Sequence, residues 1–86
     1  MIRLLIKGTR SEAALALAKR DIPVLEDLRE ASICGQPETV ARVHDAYRGR
    51  AAAWLCEQPY SPPFPAGTLL YYSESLMPEE ERALGA

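Results

Sequence analysis

The sequence predicts a small α+β domain in which two helices cover one face of a four-stranded sheet. Three observations lead to this fold class. Apolar and polar residues alternate from Ile2 to Lys7, which is the pattern of a strand with one buried face. A helix-start signal follows directly at Thr9. Beyond it, strand-like and helix-like segments continue in the order strand, strand, helix, strand, so the chain mixes both element types along its length.

The first strand places Ile2, Leu4 and Ile6 toward the core. Its other residues, Arg3, Leu5 and Lys7, then point to the opposite face of the sheet.

Gly8 ends this strand, and Thr9 with Glu12 has the spacing of a capping box. We expect a helix from there to about Arg20. Its buried face is predicted to carry Ala14, Leu17 and Ala18, flanked by Leu15.

The middle of the chain supports two interpretations. Residues 24–34 read as a second strand, exposed on one side. Residues 36–58 form either one long helix, with Pro37 at its first position, or a hairpin strand followed by a shorter helix. Gly49 favours the hairpin, because a glycine in the middle of a long helix costs about 1 kcal/mol.

On the favoured interpretation, Gly35 and Gln36 supply the hairpin turn and residues 39–44 form the third strand. Asp45 then caps a helix that runs to about Glu57. The buried stripe of this helix is formed by Tyr47, Ala51, Trp54 and Leu55.

The last third of the chain has three parts. Residues 59–66 are a proline-rich connection, in which an overlapping PxxP spacing is best explained as a structural crossover. Residues 67–75 read as the final strand, and residues 76–86 as an acidic C-terminal tail with a short helical turn. The whole chain, residues 1–86, is expected to form a single domain.

The predicted order of strands and helices is that of the ferredoxin-like βαββαβ fold, a two-layer sandwich. The alternative is a βαβαβ order with one long second helix. In the ferredoxin-like arrangement both helices cover one sheet face, and the other face is open unless a ligand, a partner or a second copy covers it.

Composition limits the function classes. The net charge is −2, too small to mimic a nucleic acid and of the wrong sign for a general nucleic-acid binder. Residues 1–50 hold nine Lys and Arg against seven Asp and Glu, so a basic surface would have to be local. Neither a signal-peptide core nor a membrane-length apolar run is present in the sequence, so we expect a cytoplasmic protein.

The open face is the predicted binding site. If Ala41 and Val43 point inward, the outward side chains are those of Arg3, Leu5, Lys7, Arg42 and His44, joined by Tyr71 or Tyr72. This locally cationic, partly aromatic surface suits an acidic protein patch or single-stranded nucleic acid. The two strands predicted to be central lack the stacking aromatics of RNA-recognition motifs, which makes RNA binding the minor interpretation. The alternative to any binding role is an ordinary solvated sheet face.

Other candidate sites are weaker. The turn from Lys7 to Arg10 could bind an anion, but the capping box occupies its amides and Glu12 would repel the ligand. Cys34, His44 and Cys56 lack a fourth ligand and an orienting residue, so no metal site, catalytic residue or cofactor is predicted.

The segments RLLIKGTRSEA, AAAWLCE and PPFPAGTLLYYSES resemble small uncharacterised proteins encoded by bacteriophages and prophages. The resemblance implies a small accessory protein that binds rather than catalyses, and it assigns no functional residue. Our leading hypothesis is a non-enzymatic binding module that acts by protein contact or self-association. A nucleic-acid binder and a small-ligand regulatory domain are the alternatives.

Overall fold

A computed structural model describes residues 1–33, 36–58 and 62–74. The strands are β1 (Ile2–Lys7), β2 (Arg29–Ile33), β3 (Gln36–Val43) and β4 (Leu69–Glu74), and the helices are α1 (Arg10–Lys19) and α2 (Arg48–Glu57). A single 3₁₀ turn, Asp45–Tyr47, leads into α2. The predicted α+β class is confirmed. The alternative with one long second helix is wrong, because the first half of that segment is the strand β3.

The four strands form one antiparallel sheet in the order β2-β3-β1-β4. β1 and β3 are therefore central, while β2 and β4 lie at the two edges. Leu5 is opposite Val40 on one side and opposite Tyr71 on the other. A register shift between Leu5 and Ile6 interrupts the pairing of β1 with β4.

The core lies between the sheet and the two helices. Ile2, Leu4 and Ile6 are fully buried, which confirms the predicted alternation along β1. They belong to one cluster with residues from both helices and from the other strands, among them Leu17, Ala51, Trp54, Val43 and Leu69. Both helices therefore cover the same face of the sheet.

The start of α1 is as predicted. The Thr9 hydroxyl accepts from the amide of Glu12, and the Glu12 carboxylate accepts from the amide of Thr9 at 2.8 Å. These two bonds satisfy amides that a helix start leaves without partners.

The predicted buried face of α1 is partly wrong. Leu17 is buried, but its buried neighbour is Ala13, while Ala14 and Ala18 are exposed. The cause is that residues 13–18 are all alanine or leucine, so periodicity marks no single face. Leu15 is 58% exposed and contributes an apolar group to the surface.

The second strand is shorter than predicted. Only Arg29–Ile33 pairs with β3, and residues 24–28 form an irregular segment beside the far end of that strand. There the amide of Leu25 donates to the carbonyl of Arg42 at 2.8 Å. The Glu26 carboxylate pairs with the Arg42 guanidinium at 3.0 Å. Acidic residues at 26 and 27 disfavour a regular strand, and a side-chain ion pair takes the place of further ladder bonds.

The predicted cap of the second helix is also corrected. β3 ends at Val43, and His44 caps the following turn, because its Nδ1 accepts from the Ala46 amide at 3.0 Å. Asp45 instead forms an ion pair with the amino group of Met1. The hydrogen bond to that amino group lowers the pKa of Asp45. In the predicted stripe of α2, Ala51 and Trp54 are buried, whereas Leu55 is 38% exposed.

Gln36 lies in β3 opposite Ile33, so it is a strand residue and not part of the predicted turn. Gly35, Cys34, the start of the proline-rich connection and the acidic tail fall outside the described residues. Residues 62–66 of the connection contain no helix or strand, and the final strand begins at Leu69, two positions later than predicted. Within the described ranges, neither helix is long and apolar enough to span a bilayer.

Candidate functional site

The sheet face opposite the helices is the candidate site, here called the open face. Alternation on the central strands directs seven side chains to it: Arg3, Leu5, Lys7, Gln36, Glu38, Val40 and Arg42. Register places four edge-strand residues beside them: Arg29, Ala31, Tyr71 and Ser73. In the described part of the chain, both helices lie on the other side of the sheet.

The centre of the open face is apolar. Leu5 lies between Val40 and Tyr71 in register, so the three side chains form a row across three strands. A shallow depression of about 380 Å³ lies along this row and is also lined by Arg3 and Ser73. Tyr71 is 59% exposed, more than the other large apolar side chains of the described chain. An exposed aromatic beside half-buried aliphatic residues is a typical anchor for a protein contact.

Cations flank this apolar row. Arg3 is directly opposite Arg42, and like charges in that position repel. The Glu26 carboxylate partly offsets this repulsion through its ion pair with Arg42 at 3.0 Å. Arg29 is exposed on the edge strand beside Val40. The local surface is therefore cationic around an apolar centre, although the whole chain carries a net charge of −2.

Glu38 is a residue of this face that the sequence analysis missed. It lies opposite Lys7 and is only 9% exposed. Its Oε2 atom is buried and has no hydrogen-bond partner among the residues described. The alternation that assigns Arg42 to the open face also assigns residues 38 and 40 to it, so the signal was present in the sequence.

The two tyrosines of β4 point to opposite sides. Tyr71 is on the open face, whereas Tyr72 lies opposite Leu4 and packs against the core on the helix side. His44 follows the end of β3, where its ring nitrogen caps the turn before α2. Of the predicted site residues, the structure thus brings together Arg3, Leu5, Lys7, Arg42 and Tyr71, and it places Tyr72 and His44 elsewhere.

The backbone amides of Gly8, Thr9 and Glu12, in the turn between β1 and α1, all donate hydrogen bonds within the protein. The Gly8 amide donates to the Pro37 carbonyl at 2.9 Å, and the amides of Thr9 and Glu12 form the capping box. The hydrogen bond from the Thr9 backbone amide lowers the pKa of Glu12, so this position favours a carboxylate. An incoming anion would meet that carboxylate.

Cys56 is exposed on α2, and Cys34 lies outside the described residues. Within residues 1–33, 36–58 and 62–74, no three side chains of His, Cys, Asp and Glu lie close enough together to hold a metal ion.

Comparison of the chain with protein-family models, with curated proteins and with solved structures finds no match in any of the three.

Proposed function

We propose that this protein is a non-enzymatic binding module whose open face binds an acidic surface of another protein. The observation that carries the proposal is Tyr71. Its ring is 59% exposed beside Leu5 and Val40, in a depression flanked by Arg3. Tyrosine and arginine are both over-represented among the residues that dominate binding at protein interfaces.

Charge supports the acidic character of the partner. Arg3, Arg29 and Arg42 surround the apolar row. The described residues bring two carboxylates to this face: that of Glu38 is buried, and that of Glu26 is paired with Arg42. Such a surface attracts an acidic partner over a distance of about one Debye length, roughly 8 Å at physiological salt. The apolar row then provides the area that leaves water on contact.

A nucleic acid is the second candidate, because phosphates would meet the same arginines. Binding to a single strand relies on aromatic side chains on which successive bases stack. Tyr71 is the one aromatic side chain that the described strands direct to the open face. A single stacking position favours the protein partner.

We also propose that the architecture is ferredoxin-like, supported by central strands β1 and β3 with β4 beside β1. A phage accessory role is part of the same proposal. It rests on the resemblance of three segments to proteins of phages and prophages, and the cytoplasm is the compartment that we propose with it.

The test is an affinity capture from nuclease-treated bacterial lysate with matched variants. Tyr71→Asp removes the exposed ring of the open face, and Leu15→Asp makes the same change at an equally exposed position on α1. We expect specific acidic proteins to be retained by the wild type and by Leu15→Asp, and to be lost with Tyr71→Asp. Equal retention by both variants would contradict the proposal.

Titration with labelled single-stranded and double-stranded oligonucleotides separates the second candidate. Binding that weakens steeply between about 50 and 200 mM salt, and that Tyr71→Asp reduces, would favour a nucleic acid over a protein.

A further inference from the structure

We propose that two copies of this chain pair through the outer edges of their β4 strands, antiparallel and centred on Tyr72. This pairing does not depend on what binds the open face, since it uses the edge of the sheet and not its surface.

The direction of the β4 backbone follows from its pairing with β1. The amide of Lys7 donates to Thr68 at 2.8 Å, and the carbonyl of Lys7 accepts from Gly67 at 2.7 Å. In an antiparallel pair these directions alternate along the strand, so Leu5 and Arg3 also face β4. Their partners, Tyr71 and Ser73, face β1. Tyr72 and Glu74 therefore direct their N–H and C=O groups away from the sheet.

This outer edge is closed at the Leu69 end. The Gln58 side chain donates from Nε2 to the Leu69 carbonyl at 2.8 Å, and its Oε1 accepts from the Leu69 amide. One carboxamide thus occupies both backbone groups of Leu69, as a residue of a neighbouring strand would. Among the described residues, none bonds to the outward groups of Tyr72.

The stretch of β4 after Leu69 fits a second copy of itself. Antiparallel pairing centred on Tyr72 places residue 70 opposite residue 74 of the second copy, and residue 71 opposite residue 73. The pairing then ends on both sides next to Leu69, where Gln58 already fills the edge. Residues 70–74 are thus bounded symmetrically for a two-fold interface, in which the same surface is used by both copies.

The side chains along this edge favour pairing as well. Leu69 to Ser73 are uncharged and Glu74 is the one charged residue of β4, whereas the opposite edge strand, β2, has charged residues at its first two positions, Arg29 and Glu30. In the proposed pairing Glu74 lies opposite residue 70 of the second copy, at the ends of the interface. Charges on an edge strand discourage pairing, and their absence permits it. Tyr71 is exposed on one side of β4.

The first test measures molecular mass by sedimentation equilibrium for a matched pair of variants. Tyr72→Pro and Tyr72→Ala both remove the ring, but only proline removes the outward N–H. Proline is tolerated where an edge strand's N–H does not pair. We expect the wild type and Tyr72→Ala to form dimers. The dissociation constant of the Tyr72→Pro dimer should be at least tenfold higher than that of the Tyr72→Ala dimer. A monomeric wild type, or equal dissociation constants for the two variants, would overturn the proposal.

A second test does not require disruption of the strand. Residues 71 and 73 of opposing copies are predicted to be neighbours in a non-hydrogen-bonded pair, where Cα atoms lie about 4.5 Å apart. In a background with Cys34→Ser and Cys56→Ser, we expect Tyr71→Cys mixed with Ser73→Cys to form a disulfide-linked heterodimer rapidly. Each variant alone should cross-link at least tenfold more slowly. Equal rates for the mixture and for either variant alone would refute the register.

Discussion

Lys7 and Glu38 lie directly opposite each other on β1 and β3, yet no ion pair joins their side chains in the described part of the chain. The Oε2 atom of Glu38 is buried without a hydrogen-bond partner there. A buried acceptor that loses its water and gains no donor destabilises the folded state. The Glu38 side chain is therefore expected to lower the stability of the folded protein.

Replacing Glu38 with leucine is expected to raise the free energy of unfolding by about 1 to 3 kcal/mol, because the desolvated carboxylate is removed. Urea denaturation measures the change. Gln36→Leu is the control, since Gln36 is exposed on the same strand and face, and it should change stability by less than about 0.5 kcal/mol. A loss of stability in Glu38→Leu would indicate that Lys7 pairs with Glu38 in solution.

The same substitution at two glycines should have opposite effects. Gly8 has φ of +116°, and an added Cβ would lie 3.0 Å from Glu12 Oε1 and 3.2 Å from the Ala66 Cβ. Gly8→Ala is thus expected to destabilise by more than about 1 kcal/mol, because it strains the turn and the capping box together. Gly49 lies in α2 with no atom within 4 Å of such a Cβ. Gly49→Ala should stabilise by about 0.5 to 1 kcal/mol, as thermal unfolding followed by circular dichroism can verify.

Trp54 is expected to be the most costly core residue to truncate. It is the largest fully buried side chain, and the Arg20 guanidinium lies 4.8 Å from its ring centroid. Trp54→Ala should lower the free energy of unfolding by about 3 to 5 kcal/mol, and Trp54→Phe by less. The exposed Leu15 provides the control, because Leu15→Ala removes apolar atoms that do not pack in the core. Comparable losses at the two positions would place the core elsewhere.

The capping box predicts a pH dependence of stability. The folded-state pKa of Glu12 is lowered from 4.5, chiefly by the hydrogen bond from the Thr9 backbone. Its stabilising contribution is therefore complete above the unfolded-state pKa and is lost as the pH falls through the folded-state pKa. Glu12→Gln keeps the hydrogen-bonding shape without titrating. The stability difference between wild type and Glu12→Gln should shrink from about pH 6 to about pH 3, and a difference independent of pH would exclude this role.

Local sequence signals predicted the beginning of the chain well. In β1, buried residues alternate with exposed or half-buried ones, as the sequence predicts. The capping box of Thr9 and Glu12 marks where α1 begins. These features depend on residues within a few positions of each other. A local signal also predicted that β3 is a strand. Gly49 would lie in the middle of the alternative long helix and disfavours it.

Other features depend on distant parts of the chain. The short β2 reflects the pairing of Glu26 with Arg42, which are sixteen positions apart. The orientation of Tyr71 and Tyr72 depends on a register shift opposite Leu5 and Ile6. The residue types of β4 do not predict this shift. Within the candidate site, alternation identified Arg3, Lys7 and Arg42, whereas Arg29 on the edge strand was not predicted. The buried state of Glu38 required knowledge of the neighbouring strands.

The two edges of the sheet are unlike. On the β2 side, charged residues begin the edge strand and the Leu25 amide closes the end of β3. On the β4 side, charge is confined to Glu74 at the end of the strand, and the carboxamide of Gln58 closes the edge at Leu69. A sheet that can be extended at both edges can polymerise without limit, whereas one that can be extended at a single edge stops after one addition. If two copies pair through β4 as proposed, the charged residues at the start of β2 disfavour a further addition at the other edge, so the assembly stops at a dimer.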